Sequence, residues 1–170
     1  MESESKDRLQ LVSFSLSTEE YGLDISAVQE IVRLTDITKV PRAPHFVEGV
    51  VNLRGKIVPV IDLCRRFGLT PEPYDKRTRI IIVTVAGRTV GFIVHAVNEV
   101  LRIAADAVDP TPELVSSDLD STFIKGVGKL PDRLIILLDV DRILDRGEIA
   151  ALGLGTAPLD PEAQRARAAV

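Results

Sequence analysis

The chain has 170 residues, of which 45% are apolar and 27% charged, and it carries a net charge of −4. That length allows one domain or two very small ones, and the composition excludes a wholly disordered chain, a collagen-like fibre and a helical membrane protein, since no apolar run nears the ~18 residues of a spanning helix. The acidic balance, 4% aromatic content and absence of Trp argue against a nucleic-acid partner and against stacking platforms for bases or sugars.

Residues 1–8 begin Met1-Glu2-Ser3-Glu4-Ser5-Lys6-Asp7, polar and acidic, and read as a flexible N-terminus, not a signal peptide. A strand is predicted over 9–16, a turn at Glu19-Glu20, and a returning strand over 21–25. Ser26-Ala27-Val28-Gln29 fits a capping box and predicts a short helical turn through Glu30, which β-branched Val28, Ile31 and Val32 weaken. Strands over 47–53 and 56–61 flank the turn Leu53-Arg54-Gly55-Lys56. Asp62 then caps a short helix over 63–67 that stops near Gly68. Pro71-Glu72-Pro73-Tyr74-Asp75-Lys76 reads as a connector. The second half repeats the plan, with its turn at Leu130-Pro131-Asp132-Arg133 and its cap at Asp139. A last helical turn is predicted over 148–154, and 150–170, rich in Ala, Pro and charge, reads as a flexible C-terminal tail.

The repetition is explicit in the residues. A shift of 69 lays Tyr21-Gly22-Leu23-Asp24-Ile25 over Val90-Gly91-Phe92-Ile93-Val94, and Ala27-Val28-Gln29-Glu30 over Ala96-Val97-Asn98-Glu99. A shift of 77 lays Phe46-Val47-Glu48-Gly49 over Phe123-Ile124-Lys125-Gly126, and Val60-Ile61-Asp62 over Leu137-Leu138-Asp139. The difference of eight places an insertion after Pro110, where Pro112, Ser116, Ser117, Asp118 and Asp120 suit a surface loop. Each copy is too small to bury a strong core alone. The prediction is therefore two tandem lobes, about 9–69 and 78–147, sharing an apolar interface with a groove along the seam. Many short strands with regular turns make the fold class mainly β, as small antiparallel barrels with short helices.

The string Glu20-Tyr21-Gly22-Leu23-Asp24-Ile25, then Val40-Pro41-Arg42-Ala43-Pro44, then Gly49-Val50-Val51-Asn52-Leu53-Arg54-Gly55-Lys56-Ile57-Val58-Pro59-Val60-Ile61-Asp62 resembles the CheW family of bacterial chemotaxis coupling proteins. The resemblance covers roughly 9–149. It implies two five-stranded barrels and a non-catalytic adaptor, without cofactor, that links chemoreceptor tips to the histidine kinase CheA. The kinase's regulatory domain shares the fold, so adaptor and kinase can pack pseudo-symmetrically into rings. The resemblance also implies a cytoplasmic protein recruited to receptor arrays at the inner membrane, with no direct membrane contact. Carried over by position, the partner contacts fall on Ile25, Val28, Glu30, Gly49, Asn52, Arg54 and Ile80. Cys64 departs from the family pattern, which has arginine there. A coupling protein of a non-flagellar chemosensory pathway fits the same residues.

The residues themselves sort these candidates. Arg54 stands where the second copy has Pro131, so the barrel does not need it, and an arginine fork suits docked carboxylates or carbonyls. Glu30 recurs as Glu99, and Arg33 and Arg102 follow each at ion-pair spacing, which favours a structural role. Val28 reads first as core, the usual fate of a valine, and as a docking contact if exposed beside the groove, and Gly49, matched by Gly126, first means a bulge or close packing. Asp62 and Asp139 read as caps, not catalytic acids. The lone Cys64 allows no internal disulfide, which points to a reducing cytoplasm. Cys64, His45 and His95 share no metal-ligand spacing; a thiol enzyme using Cys64 is the remote alternative. Phosphate-cradling, nucleophile-elbow and lipidation motifs are absent.

Overall fold

In the computed structural model, residues 8–70, 72–109 and 123–144 are described, and they form two β-sheets. In chain order, β1 (Arg8–Leu16) and β2 (Glu19–Asp24) make a hairpin, and a 3-10 turn (Ile25–Ala27) leads into β3 (Val28–Arg33). A second hairpin, β4 (Val47–Leu53) and β5 (Lys56–Asp62), ends in helix α1 (Leu63–Arg66). The second half repeats the order as β6 (Arg79–Val85), β7 (Arg88–Val94), β8 (Ala96–Ala104), β9 (Val108–Asp109), β10 (Ile124–Lys129) and β11 (Leu134–Leu138). It closes on a 3-10 turn over Val140–Arg142. Arg8 already belongs to β1, and the expectations for residues 1–7, the loop after Pro110, the helical turn over 148–154 and the tail lie outside the described residues.

The mainly-β class with few helices is as expected, but the sheets are not closed barrels. One sheet has the order β8-β1-β2-β11-β10-β9, the other β3-β6-β7-β5-β4. The sheets also do not follow the contiguous segments 9–69 and 78–147. Each copy hands its first hairpin to the other sheet: β1–β2 sits between β8 and β11, and β6–β7 sits between β3 and β5. Each exchanged hairpin is held by a long antiparallel pairing on one side, β1 with β8 and β6 with β3, and by a short parallel one on the other, Tyr21 opposite Ile136 and Val60 opposite Gly91.

Burial on both faces explains this exchange. Ile80-Ile81-Ile82-Val83 is a continuous buried run, so β6 needs apolar partners above and below it. Ile80 and Ile82 join Val51, Val58, Val60 and Ile93 in a small core inside the second sheet. Ile81, Val83 and Val85 face the main core between the sheets, with Val12, Phe14, Leu16, Leu23, Ile61 and Phe92. A third core, of Leu11, Ile103, Ile135 and Leu137, lies inside the first sheet. Four rings cross the main core in sequence, Phe14, Tyr21, Phe67 and Phe123, with the last two stacked at 4.3 Å.

The predicted capping box does not form. Asp24, not Ser26, caps the 3-10 turn, accepting the Ser26 amide at 2.9 Å and its hydroxyl at 2.8 Å. Val28–Arg33 then runs as a strand against β6, because its β-branched residues pack better on a pleated surface than in a helix. A bulge leaves Gln29 unpaired on β3, and its counterpart Asn98 is unpaired on β8 in the same way. Each bulge amide is anchored by the hairpin it faces, Gln29 to Thr84 and Thr89, Asn98 to Ser15. The expected caps are present. Asp62 accepts the amides of Cys64 and Arg65, and Asp139 accepts that of Asp141.

The connector is bound to the first half. Tyr74 packs against the second sheet's small core and its Oη donates to Asp62 Oδ2 at 2.7 Å. Burial, then this bond to Asp62, holds the Tyr74 phenol in its neutral form far above the ordinary tyrosine range. Tyr74→Phe is expected to lower the unfolding free energy by about 1.5 kcal/mol, read by urea denaturation, because it removes a donor from a buried carboxylate.

Candidate functional site

The β4–β5 turn is a two-residue loop with Arg54 at φ 52° and Gly55 at φ 87°, the backbone signs of a type I′ hairpin turn. Asn52 Oδ1 accepts the Gly55 amide at 2.8 Å and braces the turn. Arg54 reaches across the mouth of the second sheet to Glu30 on β3, which accepts both Nη1, at 2.9 Å, and Nη2. These bonds pull the Glu30 carboxyl below its usual range. The pair is exposed: 70% of the Arg54 side chain and 29% of Glu30 remain open to solvent. Such a pair adds little stability.

The second half reaches the same pairing from another turn position. Pro131 stands opposite Arg54 in the repeat, and Arg133, the counterpart of Lys56, pairs with Glu99 at 3.2 Å. Arg133 also holds Glu20 at 2.7 Å and Asp132 at 3.1 Å, with 33% of its side chain exposed. Two arginines that pair with matching glutamates therefore differ in availability. Arg133 is engaged by three carboxylates, whereas Arg54 shares its fork with Glu30 alone among the described residues and points outward.

The other predicted positions divide. Ile25, in the 3-10 turn, and Val28, at the start of β3, are half-buried against the main core at the seam between the sheets. Val28 and Glu30 begin β3, so the seam and the Glu30–Arg54 pair form one continuous stretch, with Asn52 exposed beyond it. Gly49 is buried where the segment after β3 crosses β4, and a Cβ there would lie 2.2 Å from the Thr38 carbonyl oxygen. Gly126 meets β9 the same way, its Cβ position 2.8 Å from the Asp109 carbonyl. Both glycines permit close packing at a bulge. Ile80 is corrected from contact to core: it has no exposed surface and is enclosed by the second sheet.

Two residues that sequence reasoning missed flank this stretch. Ile31 and Ile57 are exposed, 38% and 65%, and Ile57 lies directly opposite Asn52. Their repeat counterparts, Val100 and Leu134, are exposed on the other sheet at 52% and 61%. Four apolar residues kept outward in two matching pairs are a sign of docking rather than packing. Comparing the copies for outward-facing as well as inward-facing positions would have found them.

At the seam itself, a cleft of about 380 Å³ is lined by Asp24, Ser26, Thr84, Lys125, Asp139 and Asp141, among others. Cys64 lies elsewhere, buried. Burial first, then the charge of Asp62, pushes its thiol up to about 11, which leaves about a thousandth as thiolate at pH 8. Alkylation of the native chain at pH 8 is expected to be at least about tenfold slower than in urea, followed by mass spectrometry. Among the described residues no three His, Cys, Asp or Glu side chains come together as a metal site.

Residues 10–148 match the family model of the CheW-like domain. The chain belongs to the CheW family. It is similar to the chemotaxis protein CheW of Klebsiella aerogenes, 39% identical over 137 residues that cover 81% of this chain and 82% of that protein. The chemotaxis protein CheW of Thermotoga maritima is 37% identical over 136 residues, 80% of this chain and 87% of that one. Among solved structures it resembles the crystal structure of the scaffolding protein TtCheW from Thermoanaerobacter tengcongensis, 42% identical, with a TM-score of 0.76 over 82% of this chain and 94% of the other. As a CheW-family member the chain is a chemotaxis scaffold of adaptor type, not an enzyme. No helix among the described residues is long and apolar enough to cross a membrane.

Proposed function

We propose that this CheW-family scaffold couples chemoreceptor tips to the histidine kinase CheA, at receptor arrays on the cytoplasmic side of the inner membrane. The observation that carries the reading is the outward Arg54 fork, with one carboxylate partner among the described residues, held on a rigid turn beside exposed Asn52 and Ile57. A guanidinium in that setting exchanges or shares its carboxylate with a partner at little cost to the fold. The receptor's helical tip lies along the seam at Ile25 and Val28, in a helix-in-groove mode, with Glu30 and Arg54 at its polar margin. The kinase's regulatory domain, a relative of the same fold, packs on the second sheet across Ile31 and Ile57. Gly49 supports this surface from beneath by letting the segment after β3 close against β4. A modest interface with a polar rim suits reversible assembly.

The test is a ternary assay. The purified chain, its kinase and receptor-bearing membranes are mixed, and kinase activity and co-sedimentation are measured. Kinase activation that requires all three components is expected. The absence of both activation and co-sedimentation with every chemosensory kinase of the source organism would overturn the proposal.

A further inference from the structure

Among the described residues the molecule carries two clefts related by its internal repeat, and one of them is filled by the chain itself. The first is lined by Asp62, Cys64, Ile93 and His95, and the connector fills it. Tyr74 Oη donates to Asp62 Oδ2 at 2.7 Å, Glu72 meets His95 Nδ1 at 3.2 Å, and a residual cavity of about 10 Å³ remains. The repeat carries those four lining residues onto Asp139, Asp141, Asp24 and Ser26, and these line the open cleft of about 380 Å³ at the seam.

The two cap aspartates correspond atom by atom. Oδ1 of Asp62 accepts the Cys64 amide at 2.9 Å, and Oδ1 of Asp139 accepts the Asp141 amide at 3.1 Å. Oδ2 of each lies near the arginine three residues on, 3.9 Å from Arg65 Nε and 3.5 Å from Arg142 Nε. Asp62 Oδ2 then receives Tyr74, whereas Asp139 Oδ2 has no such donor among the described residues. The filled cleft thus shows the place a ligand takes: a non-helical segment lies over the end of the β5–β7 pair and presents one donor to the aspartate.

The lining defines which donor. Asp24 and Asp141 replace Ile93 and Cys64, turning an apolar, thiol-bearing wall into two carboxylates beside Asp139. Among the described residues Lys125 is on this lining and Arg142 stands beside Asp139, two cations against three carboxylates. A neutral phenol leaves those charges unanswered, whereas a planar guanidinium can bond two carboxylates at once. We propose that this cleft docks an arginine presented by an extended segment of a partner protein, its guanidinium standing at Asp139 Oδ2 where Tyr74 stands at Asp62. The inference goes beyond the coupling role and does not rest on it.

The probe is a nonapeptide with the sequence of residues 70–78 carrying Tyr74→Arg, titrated into the full chain and followed by NMR. Saturable shifts of the Ser26, Thr84, Lys125 and Asp141 amides are expected, weakening with added salt. A Tyr74→Gln peptide is expected to bind at least about tenfold more weakly, and so is the arginine peptide to the Asp139→Asn chain, which keeps a competent cap. Absent shifts, equal binding of the glutamine peptide, or unchanged binding to Asp139→Asn would overturn the proposal. So would shifts confined to Cys64, Thr78 and His95, which mean displacement of the connector. Nuclear Overhauser contacts in the free chain from Ser26 or Thr84 to another segment of the same chain would overturn it too, by naming that segment as the occupant.

Discussion

Replacing Gly49 with alanine lowers the unfolding free energy by about 3 kcal/mol, the upper range for forcing atoms into a packed site. The added Cβ would stand 2.2 Å from the Thr38 carbonyl oxygen and 2.7 Å from Ile37 Cγ2. The nearer obstacle is backbone, so no rotamer change relieves it. The chain must move at Thr38, which donates to the Val50 carbonyl at 2.9 Å and accepts the Val50 amide at 2.8 Å. Those two bonds are the bridge between the segment after β3 and β4. Their loss loosens β3 and the Glu30–Arg54 pair together, so coupling falls with stability. The matching Gly126→Ala change meets backbone at 2.8 Å and is expected to cost less, about 2 kcal/mol. Urea denaturation measures both. A Gly49→Ala chain within about 0.5 kcal/mol of the parent would mean that Thr38 is not packed there.

Ile80→Ala is expected to cost about 3–4 kcal/mol, within the range for large-to-small changes in a core. Ile80 sits in the second sheet's own small core with Val58, Val60, Ile82 and Ile93, and no other side chain there can refill the space without leaving its strand register. Its opposite neighbour Ile93 shares the site. Any loss of coupling in Ile80→Ala follows from unfolding. The conservative Ile80→Val change separates the two effects: it costs about 1 kcal/mol and leaves partner binding unchanged. A binding defect in a stably folded Ile80→Val chain would return Ile80 to the contact surface.

The sequence carried local structure well and the exchange of hairpins not at all. Turn chemistry placed the hairpins about Arg54-Gly55 and Pro131-Asp132, and Asp62 and Asp139 were readable as caps from position alone, whereas the first hairpin turns at Ser17-Thr18 and not at Glu19-Glu20, which already pair with β1. What pairs with what is a long-range matter. The double-sided apolar runs of β1, β6 and β11 signal burial on both faces, yet the same runs fit either sheet. The segment Val28–Arg33 defeated a helical reading, because a plausible capping pattern competed with β-branched residues and the tertiary pairing decided in favour of a strand. At the site, the internal comparison singled out Arg54 through Pro131, but it did not show that Arg133 restores the pairing from two positions further on. Glu30, read as structural from its repetition, is in fact the partner of Arg54 and not of Arg33. Spacing along one strand set up the Arg33 expectation; contact across the mouth of a curled sheet is invisible to spacing.

Arg54 serves partners and not the fold, and removing its side chain separates the two. Arg54→Ala is placed beside the parent chain in the ternary assay with kinase and receptor membranes, and both chains are unfolded in urea. The exposed pair contributes little to folding, so the unfolding midpoints should agree closely while receptor-dependent kinase activation falls at least about tenfold, the loss of charge-assisted bonds to a partner. Full activation by a normally stable Arg54→Ala chain would mean that partners do not use Arg54, and unfolding of the variant would make Arg54 a structural residue.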